Sequence, residues 1–201
     1  MPNLKEWEER YQRPDYWAGV EPSAFLREML PFLPRGPVLD LACGEGRNAV
    51  YLAAQGWQVT GVDWSPAGLE KATALALAHG LRATRLAGIE VAGPGTRLGL
   101  AVVDLEKAAL PVERFDVVLC VNYLQRSLFS AIERALRPGG VLLYQAYTLE
   151  QLQFDGGPRS PEFLLRPGEL CAAFPRLRTL FCSEHNAGKG VASLFASKAA
   201  R

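Results

Sequence analysis

The stretch that most constrains the fold of this chain is P-V-L-D-L-A-C-G-E-G-R-N-A-V-Y, residues 37–51. Its apolar start is typical of a short buried strand, and Gly44 and Gly46 mark a tight turn into a segment with helical spacing of apolar residues. A turn of this kind leaves the unpaired N–H groups of the first helical turn facing the space above the strand. A small ligand with negative or acceptor groups fits there.

Two kinds of ligand compete for this turn. Gly44, Gly46 and Ala49 satisfy the G-x-G-x-x-G/A fingerprint of NAD-binding folds, a match that is weak on its own. Asp40, at the end of the strand, separates the alternatives, because a nearby carboxylate repels a pyrophosphate by several kcal/mol at an effective dielectric of about 20. A ligand that carries an ammonium and a sulfonium group is favoured instead.

The composition is that of an ordinary globular domain. Of 201 residues, 49% are hydrophobic and 21% are charged, which suits one packed core over residues 1–201. Lys and Arg number 22 against 21 Asp and Glu, and this balance disfavours a nucleic-acid partner. The charged start lacks an apolar signal region, and no apolar run is long enough to span a membrane. We therefore expect a cytoplasmic protein without membrane association.

The four cysteines, Cys43, Cys120, Cys171 and Cys182, show no C-x-x-C spacing. Each falls in an apolar segment, where a free cysteine behaves as a small hydrophobic side chain. We expect free thiols, without a structural disulfide, and no bound metal.

Strand-like and helix-like segments alternate over residues 36–147. After the first strand, the apolar runs end at Asp63, Asp104, Asn122 and Tyr147. Five strands that alternate with helices predict a parallel, doubly wound α/β sheet, whose ligands bind at the carboxyl ends of the strands. The tail contains a helix and two strand-like runs, which predict an antiparallel hairpin at one sheet edge and seven strands in all. The glycine-rich residues 81–97 have two alternative predictions, a short strand at 89–91 or an excursion loop.

Carboxylates stand where three of the predicted strands end, at Asp40, Asp63 and Asp104. One acid at a strand end is usually a helix cap or a loop residue, but three beside a glycine turn indicate a binding site. Asp63 follows Gly44 by 19 residues. That is close to the spacing of about 20 at which such a carboxylate reaches ribose hydroxyl groups.

These motifs resemble those of the class I S-adenosylmethionine-dependent methyltransferases, in which D-x-x-x-G-x-G is followed by an acid. Several further segments look like the small bacterial methyltransferases of the tellurite-resistance type, which are also similar to the thiopurine methyltransferases. The segments are W-E-E-R-Y, E-P-S-x-F-L, V-L-D-L-A-C-G-E-G-R-N, G-V-D-W-S-P, L-R-P-G-G and F-L-L-R-P-G-E-L. The resemblance spans nearly the whole chain and implies a Rossmann-like methyltransferase fold with S-adenosylmethionine as cofactor. It says little about the methyl acceptor.

The resemblance also implies roles for individual residues. Asp40 would hold the methionine amino group, Asp63 the ribose diol and Asp104 the adenine amino group, with Leu105 packed against the ring. Arg47 would donate to the cofactor carboxylate or to an anionic acceptor. The predicted cofactor residues are Asp40, Ala42, Gly44, Gly46, Arg47, Asp63, Trp64, Asp104, Leu105 and Asn122. The predicted acceptor residues are Tyr11, Tyr16, Trp17, Tyr123 and Tyr147.

Methyl transfer from a sulfonium is an in-line displacement with an activated leaving group, so alignment and a dry pocket suffice. The segment 122–125, N-Y-L-Q, lacks the N-P-P-Y-like run that binds the amino groups of adenine or glutamine. A small-molecule acceptor with a sulfur, selenium or tellurium atom is the leading prediction. An RNA methyltransferase and a non-catalytic S-adenosylmethionine-binding module are the alternatives. The acceptor, any general base and the oligomeric state stay open.

Large aromatic residues precede the first strand, in a segment that a minimal sheet does not need. They either pack over a sheet edge or form a lid. We predict that Trp7–Trp17 folds over the cofactor and forms part of the acceptor pocket, because in-line transfer requires a dry site. The chain then divides into an N-terminal helical cap (1–35), a cofactor-binding core (36–147) and a C-terminal helix and hairpin (148–201).

Overall fold

The computed structural model describes residues 4–185 and 188–200, and in this part of the chain an eight-stranded sheet is flanked by helices. The strands are β1 (Pro37–Leu41), β2 (Gln58–Asp63), β3 (Ala83–Arg85), β4 (Leu98–Val102), β5 (Phe115–Val121), β6 (Leu136–Tyr147), β7 (Leu177–His185) and β8 (Val191–Lys198). Residues 1–3 of the predicted cap, 186–187 of the predicted hairpin loop and 201 lie outside the described residues.

The strand order across the sheet is β3-β4-β2-β1-β5-β6-β8-β7. The six strands β1 to β6 pair in parallel, and β8 is antiparallel to both β6 and β7. The order reverses between β1 and β5, which is where ligands bind in open α/β sheets. The predicted α/β fold with an antiparallel C-terminal pair is confirmed.

The helices are α1 (Leu4–Tyr11), α2 (Ala24–Met29), α3 (Arg47–Ala54), α4 (Pro66–Ala78), α5 (Phe129–Ala135) and α6 (Glu169–Ala172). Two of them begin at serine N-caps. The Ser23 hydroxyl accepts from the amide of Leu26 at 3.2 Å, and the Ser65 hydroxyl accepts from the amide of Gly68 at 3.0 Å. Both caps satisfy N–H groups that have no partner within the helix.

The glycine-rich stretch contributes one strand more than the seven predicted. The extra strand is β3, Ala83–Arg85, whereas residues 89–91 form a loop. This loop is held to β2 by side chains, since Thr60 Oγ1 donates to the Glu90 carbonyl at 2.6 Å. Three mostly exposed residues at a sheet edge carry too weak a hydrophobic pattern to be recognised in a sequence.

The prediction of four free cysteines is wrong for one pair. Cys171 in α6 and Cys182 in β7 form a disulfide, while Cys43 and Cys120 are free. The two bonded cysteines are only 11 residues apart in sequence, but their meeting depends on how α6 packs against β7. The C-x-x-C criterion gives no information about such a contact.

Gly46 is where α3 packs against α4. It stands at the start of α3 with φ +82°, and a Cβ added there would lie 2.5 Å from the Cβ of Ala72. Gly80, after α4, has a similar φ of +70° but no atom within 4 Å of its added Cβ. The two glycines therefore share a left-handed backbone and differ in the space around them.

Alanine substitutions at Gly46 and Gly80 distinguish the cost of backbone strain from the cost of close packing. We expect Gly46→Ala to lower the free energy of unfolding by about 2–5 kcal/mol, from the left-handed backbone and from overpacking together. Gly80→Ala should cost about 1–2 kcal/mol, from the backbone alone. Urea unfolding of both variants measures the difference. Equal losses would show that the contact with Ala72 relaxes without cost.

Candidate cofactor and acceptor site

A cavity of about 960 Å³ lies at the carboxyl ends of the parallel strands. This volume is at the upper end of the range of roughly 300–1,000 Å³ for small-molecule sites. Most of the residues predicted to bind cofactor or acceptor line it. They are Tyr11, Trp17, Asp40, Ala42, Gly44, Arg47, Asp63, Trp64, Asp104, Leu105, Asn122, Tyr123 and Tyr147.

Asp63 ties the glycine turn to the end of β2. Its Oδ2 accepts from the amide of Gly44 at 2.8 Å, and its Oδ1 accepts from the amide of Ser65 at 2.9 Å. Burial raises the pKa of Asp63, and the hydrogen bonds from Ser65 and Gly44 oppose this shift. Each carboxylate oxygen has a second lone pair, so the group can position the turn and still accept from ribose hydroxyls.

Asp40 is the least satisfied polar group of the cavity. It is 1% exposed, and its Oδ2 has no hydrogen-bond partner in the described part of the chain. Burial, together with the charge of Asp63, raises the pKa of Asp40 to about 8, while Arg47 opposes the shift. A buried acceptor without a partner is unfavourable, and an ammonium group would satisfy it. The site therefore fits the cationic end of S-adenosylmethionine.

The rim of the cavity beyond the end of β4 is more open. Asp104 there forms a salt bridge of 2.8 Å with Lys107 and accepts from the amide of Glu106 at 3.0 Å. The Lys107 hydrogen bond lowers the pKa of Asp104, so this carboxylate is charged at neutral pH. The adjacent Leu105 is buried and supplies an apolar surface beside it.

Two non-glycine residues at the cavity have left-handed backbones. Ala42, after β1, has φ +54°, and Asn122, after β5, has φ +62°. Such conformations cost energy and are concentrated at functional sites. They turn the chain sharply at the ends of β1 and β5, which opens the space above these strands.

The N-terminal segment covers the glycine turn. The Tyr11 hydroxyl lies 2.8 Å from the place that a Cβ on Gly44 would occupy, and the Tyr11 ring also packs against Gly68 at the start of α4. Burial raises the pKa of Tyr11, so the phenol is protonated. Trp7, Arg10 and Trp17 line the cavity from the same segment.

Polar contacts hold residues 15–18 in place. The buried Glu45 carboxylate pairs with Lys71 Nζ at 2.7 Å, and Lys71 Nζ also donates to the Asp15 carbonyl at 2.6 Å. Arg47 Nη1 donates to the Ala18 carbonyl at 2.8 Å. The segment is thus attached to the helices that follow β1 and β2.

Two predicted site residues do not reach the cavity. The Tyr16 hydroxyl donates to the carbonyl of Lys71 at 3.2 Å, and its ring packs against the core beside α4. Gly46 is turned toward Ala72 and serves helix packing. The sequence pattern predicts that both residues lie near the site, but the direction in which each residue faces depends on the packing of the neighbouring helices.

The two strand-end tyrosines lie on the other side of the cavity. Burial raises the pKa of Tyr123, which donates to Gln125 Oε1. Burial also raises the pKa of Tyr147, against the neighbouring charge of Arg47. Both phenols are therefore protonated, and the Tyr123 hydroxyl already donates to Gln125.

Sequence reasoning missed part of the wall. Residues 156–160, Phe163 and Lys189 also line the cavity. Arg159 is held there by bonds from its guanidinium to the carbonyls of Leu152 at 3.1 Å and Phe154 at 2.6 Å. The segment G-G-P-R-S carries turn signals only, and nothing in its pattern indicates which part of the molecule it contacts.

A parallel sheet with a glycine turn after β1 and carboxylates at the ends of β1, β2 and β4 defines a nucleotide-type cofactor site. The comparisons identify it further. Residues 38–140 match the family model described as a methyltransferase domain, which is just over half of the chain. The chain therefore belongs to the methyltransferase-domain family, as a class I S-adenosylmethionine-dependent methyltransferase, and the predicted cofactor is confirmed.

Known proteins are similar over different lengths. The ubiquinone biosynthesis O-methyltransferase of Bordetella pertussis is 28% identical over 148 residues, covering 71% of this chain and 55% of that protein. The chain spans about half the length of the curated relatives that it matches.

Solved structures below 25% identity show the fold alone. A structure concerned with the conversion of a disulfide bond into a thioacetal group during echinomycin biosynthesis has a TM-score of 0.70 at 21% identity, covering 98% of this chain and 92% of that chain. TehB from Haemophilus influenzae has a TM-score of 0.66 at 18% identity, and the similarity covers 97% of this chain and 66% of that chain.

The described residues contain no helix that is both long and apolar enough to cross a membrane. Nor do they contain a group of three or more His, Cys, Asp or Glu side chains that could hold a metal ion.

Asp40 gives a testable conflict between stability and binding. Folding raises its pKa from 3.8 to about 8, so its contribution to stability is fully present below the unfolded value and is lost as pH rises through about 8. Asp40→Asn should therefore raise the Tm of the cofactor-free protein more at about pH 9 than at about pH 5, by at least about 2 °C. It should also weaken S-adenosylhomocysteine binding by about tenfold or more.

Calorimetry of unfolding and of binding checks both effects. Asp104→Asn is the matched control, because this carboxylate lines the same cavity but is accessible and paired with Lys107. It should give no pH-dependent gain in Tm. An Asp40→Asn variant that binds S-adenosylhomocysteine like the wild type would contradict the assignment.

Proposed function

We propose that this protein transfers a methyl group from S-adenosylmethionine to a small-molecule acceptor with a soft nucleophilic atom, such as sulfur, selenium or tellurium. We also propose that the protein belongs to the narrower group that resembles the tellurite-resistance and thiopurine methyltransferases. The observation that carries it is the buried Asp40 carboxylate, whose Oδ2 has no partner in the described chain and which lines a cavity large enough for cofactor and acceptor together.

The side chains around the cavity favour an acceptor that ionises by itself. Neither of the two histidines, His79 and His185, lines it. The carboxylates Asp40 and Asp63 lie deep on the cofactor side, and Tyr123 and Tyr147 hold their protons because burial raises the pKa of each. A thiol, with an ordinary pKa of about 8.5, supplies a thiolate near neutral pH without a protein base.

In this mechanism the protein aligns and dehydrates the reactants. S-adenosylmethionine supplies an activated methyl group when it is bound. Asp40 binds its amino group, Asp63 the ribose diol, and Asp104 with Leu105 the adenine. The aromatic side chains above the glycine turn exclude water, which lets the acceptor approach the methyl group in line.

Turnover with labelled S-adenosylmethionine tests the proposal. Thiols, selenite, tellurite, catechols and bulk RNA are offered in parallel, and formation of S-adenosylhomocysteine is measured. We expect thiols or the selenium and tellurium compounds to be methylated in preference to the oxygen nucleophiles, with a rate that rises as the thiol ionises. Methylation of catechols or RNA alone would overturn the acceptor class. Binding of S-adenosylhomocysteine without turnover on any acceptor would indicate a non-catalytic binding module.

The N-terminal segment is proposed to act as a lid. No residue of α1 is more than partly buried, yet Tyr11 contacts the glycine turn and Trp7, Arg10 and Trp17 line the cavity. The contacts of Tyr11 lie at the glycine turn and at the start of α4, beside the site. An element of this kind contributes little to global stability and much to closing the pocket.

Proteolysis and truncation distinguish a lid from a packing element. Bound S-adenosylhomocysteine should slow tryptic cleavage after Arg10 severalfold, because it holds the segment closed. Cleavage after Arg82, which is exposed and outside the cavity lining, is the control and should not change. Removal of residues 1–17 should abolish most turnover but lower the Tm by only a few degrees, roughly the effect of about 1 kcal/mol. An unchanged digestion rate at Arg10 would refute the lid.

A further inference from the structure

Charge is divided across the cavity. The carboxylates Asp40, Asp63 and Asp104 lie at the ends of β1, β2 and β4, which are neighbours on one half of the sheet. Two cations of the lining lie on the other half. Arg159 is in the loop that follows β6, and Lys189 precedes β8, the strand paired with β6. The half of the cavity over β6 and β8 is therefore basic.

The other carboxylates of the lining do not neutralise this basic half. Glu45 is paired with Lys71, and Glu106 lies beside Asp104 on the acidic side. Glu6 lies in α1 and is already engaged in an interaction there. Arg47, at the start of α3, lies next to Tyr147 at the end of β6 and extends the basic half toward the glycine turn.

The basic side chains are oriented but not paired with acids. None of the salt bridges found within residues 4–185 and 188–200 includes Arg10, Arg159 or Lys189. Arg159 is positioned by two neutral backbone carbonyls, which leave its charge uncompensated. The Arg10 guanidinium lies 4.7 Å from the centre of the Trp7 ring and 5.2 Å from that of Trp17. Such stacking orients a guanidinium and leaves its N–H edge free to donate.

Flat apolar surfaces accompany these cations. Trp7, Trp17, Tyr147 and Phe163 all line the cavity, and Trp17 remains 51% exposed. Aromatic walls with a few convergent charged groups suit a planar apolar body that ends in an anion.

We propose that the methyl acceptor is an organic anion, in which a carboxylate on a flat apolar body is bound by Arg159 and Lys189 over the β6–β8 half of the cavity. This inference rests on the proposed function and specifies the substrate class of the same site. The acidic half then binds the cationic cofactor and the basic half the anionic acceptor, so each reactant is directed to its own end.

Binding to the S-adenosylhomocysteine complex tests this inference without depending on which atom is methylated. Naphthoate and its neutral isostere naphthamide are titrated calorimetrically into protein saturated with S-adenosylhomocysteine. We expect naphthoate to bind at least about tenfold more tightly, as charge-assisted hydrogen bonds imply, and the preference to fall at high salt. Selenite is a third probe, because an inorganic oxyanion offers the same charge without the apolar body.

Variants locate the effect. Arg159→Gln and Lys189→Gln should each reduce the preference for naphthoate over naphthamide by about threefold to tenfold and leave naphthamide binding unchanged. Arg82→Gln removes the same charge from an exposed residue outside the cavity lining and should have no effect. Equal binding of acid and amide, or a preference that both cavity variants retain, would overturn the inference. Selenite binding as tight as that of naphthoate would overturn the conclusion that the acceptor carries an apolar organic body. Failure of S-adenosylhomocysteine to bind would instead refute the proposed function.

Discussion

The hydrogen bond between the Gly44 amide and the Asp63 carboxylate is the contact on which the site depends. It joins the turn after β1 to the end of β2, and the same carboxylate accepts from Ser65 at the start of α4. Because β1 and β2 are parallel neighbours, both turns open at the same sheet edge. One buried carboxylate therefore sets the positions of two helix starts and, between them, the floor of the cavity.

Beside this satisfied carboxylate, Asp40 is a buried acid that the described protein atoms do not fully satisfy. In the absence of a ligand, its burial favours the protonated form, which is why its pKa is raised to about 8. A cationic cofactor would reverse this balance, because its positive charge would stabilise the ionised carboxylate. The molecule thus keeps an unfavourable group where binding needs it, a common exchange of stability for function.

The cavity is completed by segments outside the parallel core. The N-terminal segment lies over the glycine turn, held by the Glu45–Lys71 pair and by Arg47, and the loop after β6 contributes Arg159. These elements supply the aromatic and basic surfaces, whereas the core supplies the acidic ones. A shared methyltransferase fold can in this way retain its cofactor site while the covering segments change the acceptor.

The α/β class, the glycine turn and the strand-end acids could be predicted from the sequence, because they depend on local periodicity and on short spacings. It also predicted that Tyr11 and Trp17 belong to a cover, and the structure places both at the cavity. Three features became known only from the packing of the whole chain. They are the placement of Tyr16 against α4 instead of in the cavity, the Cys171–Cys182 disulfide and the position of Arg159 at the cavity. Each of these features depends on the packing of separate elements against one another. No local sequence pattern predicts such contacts.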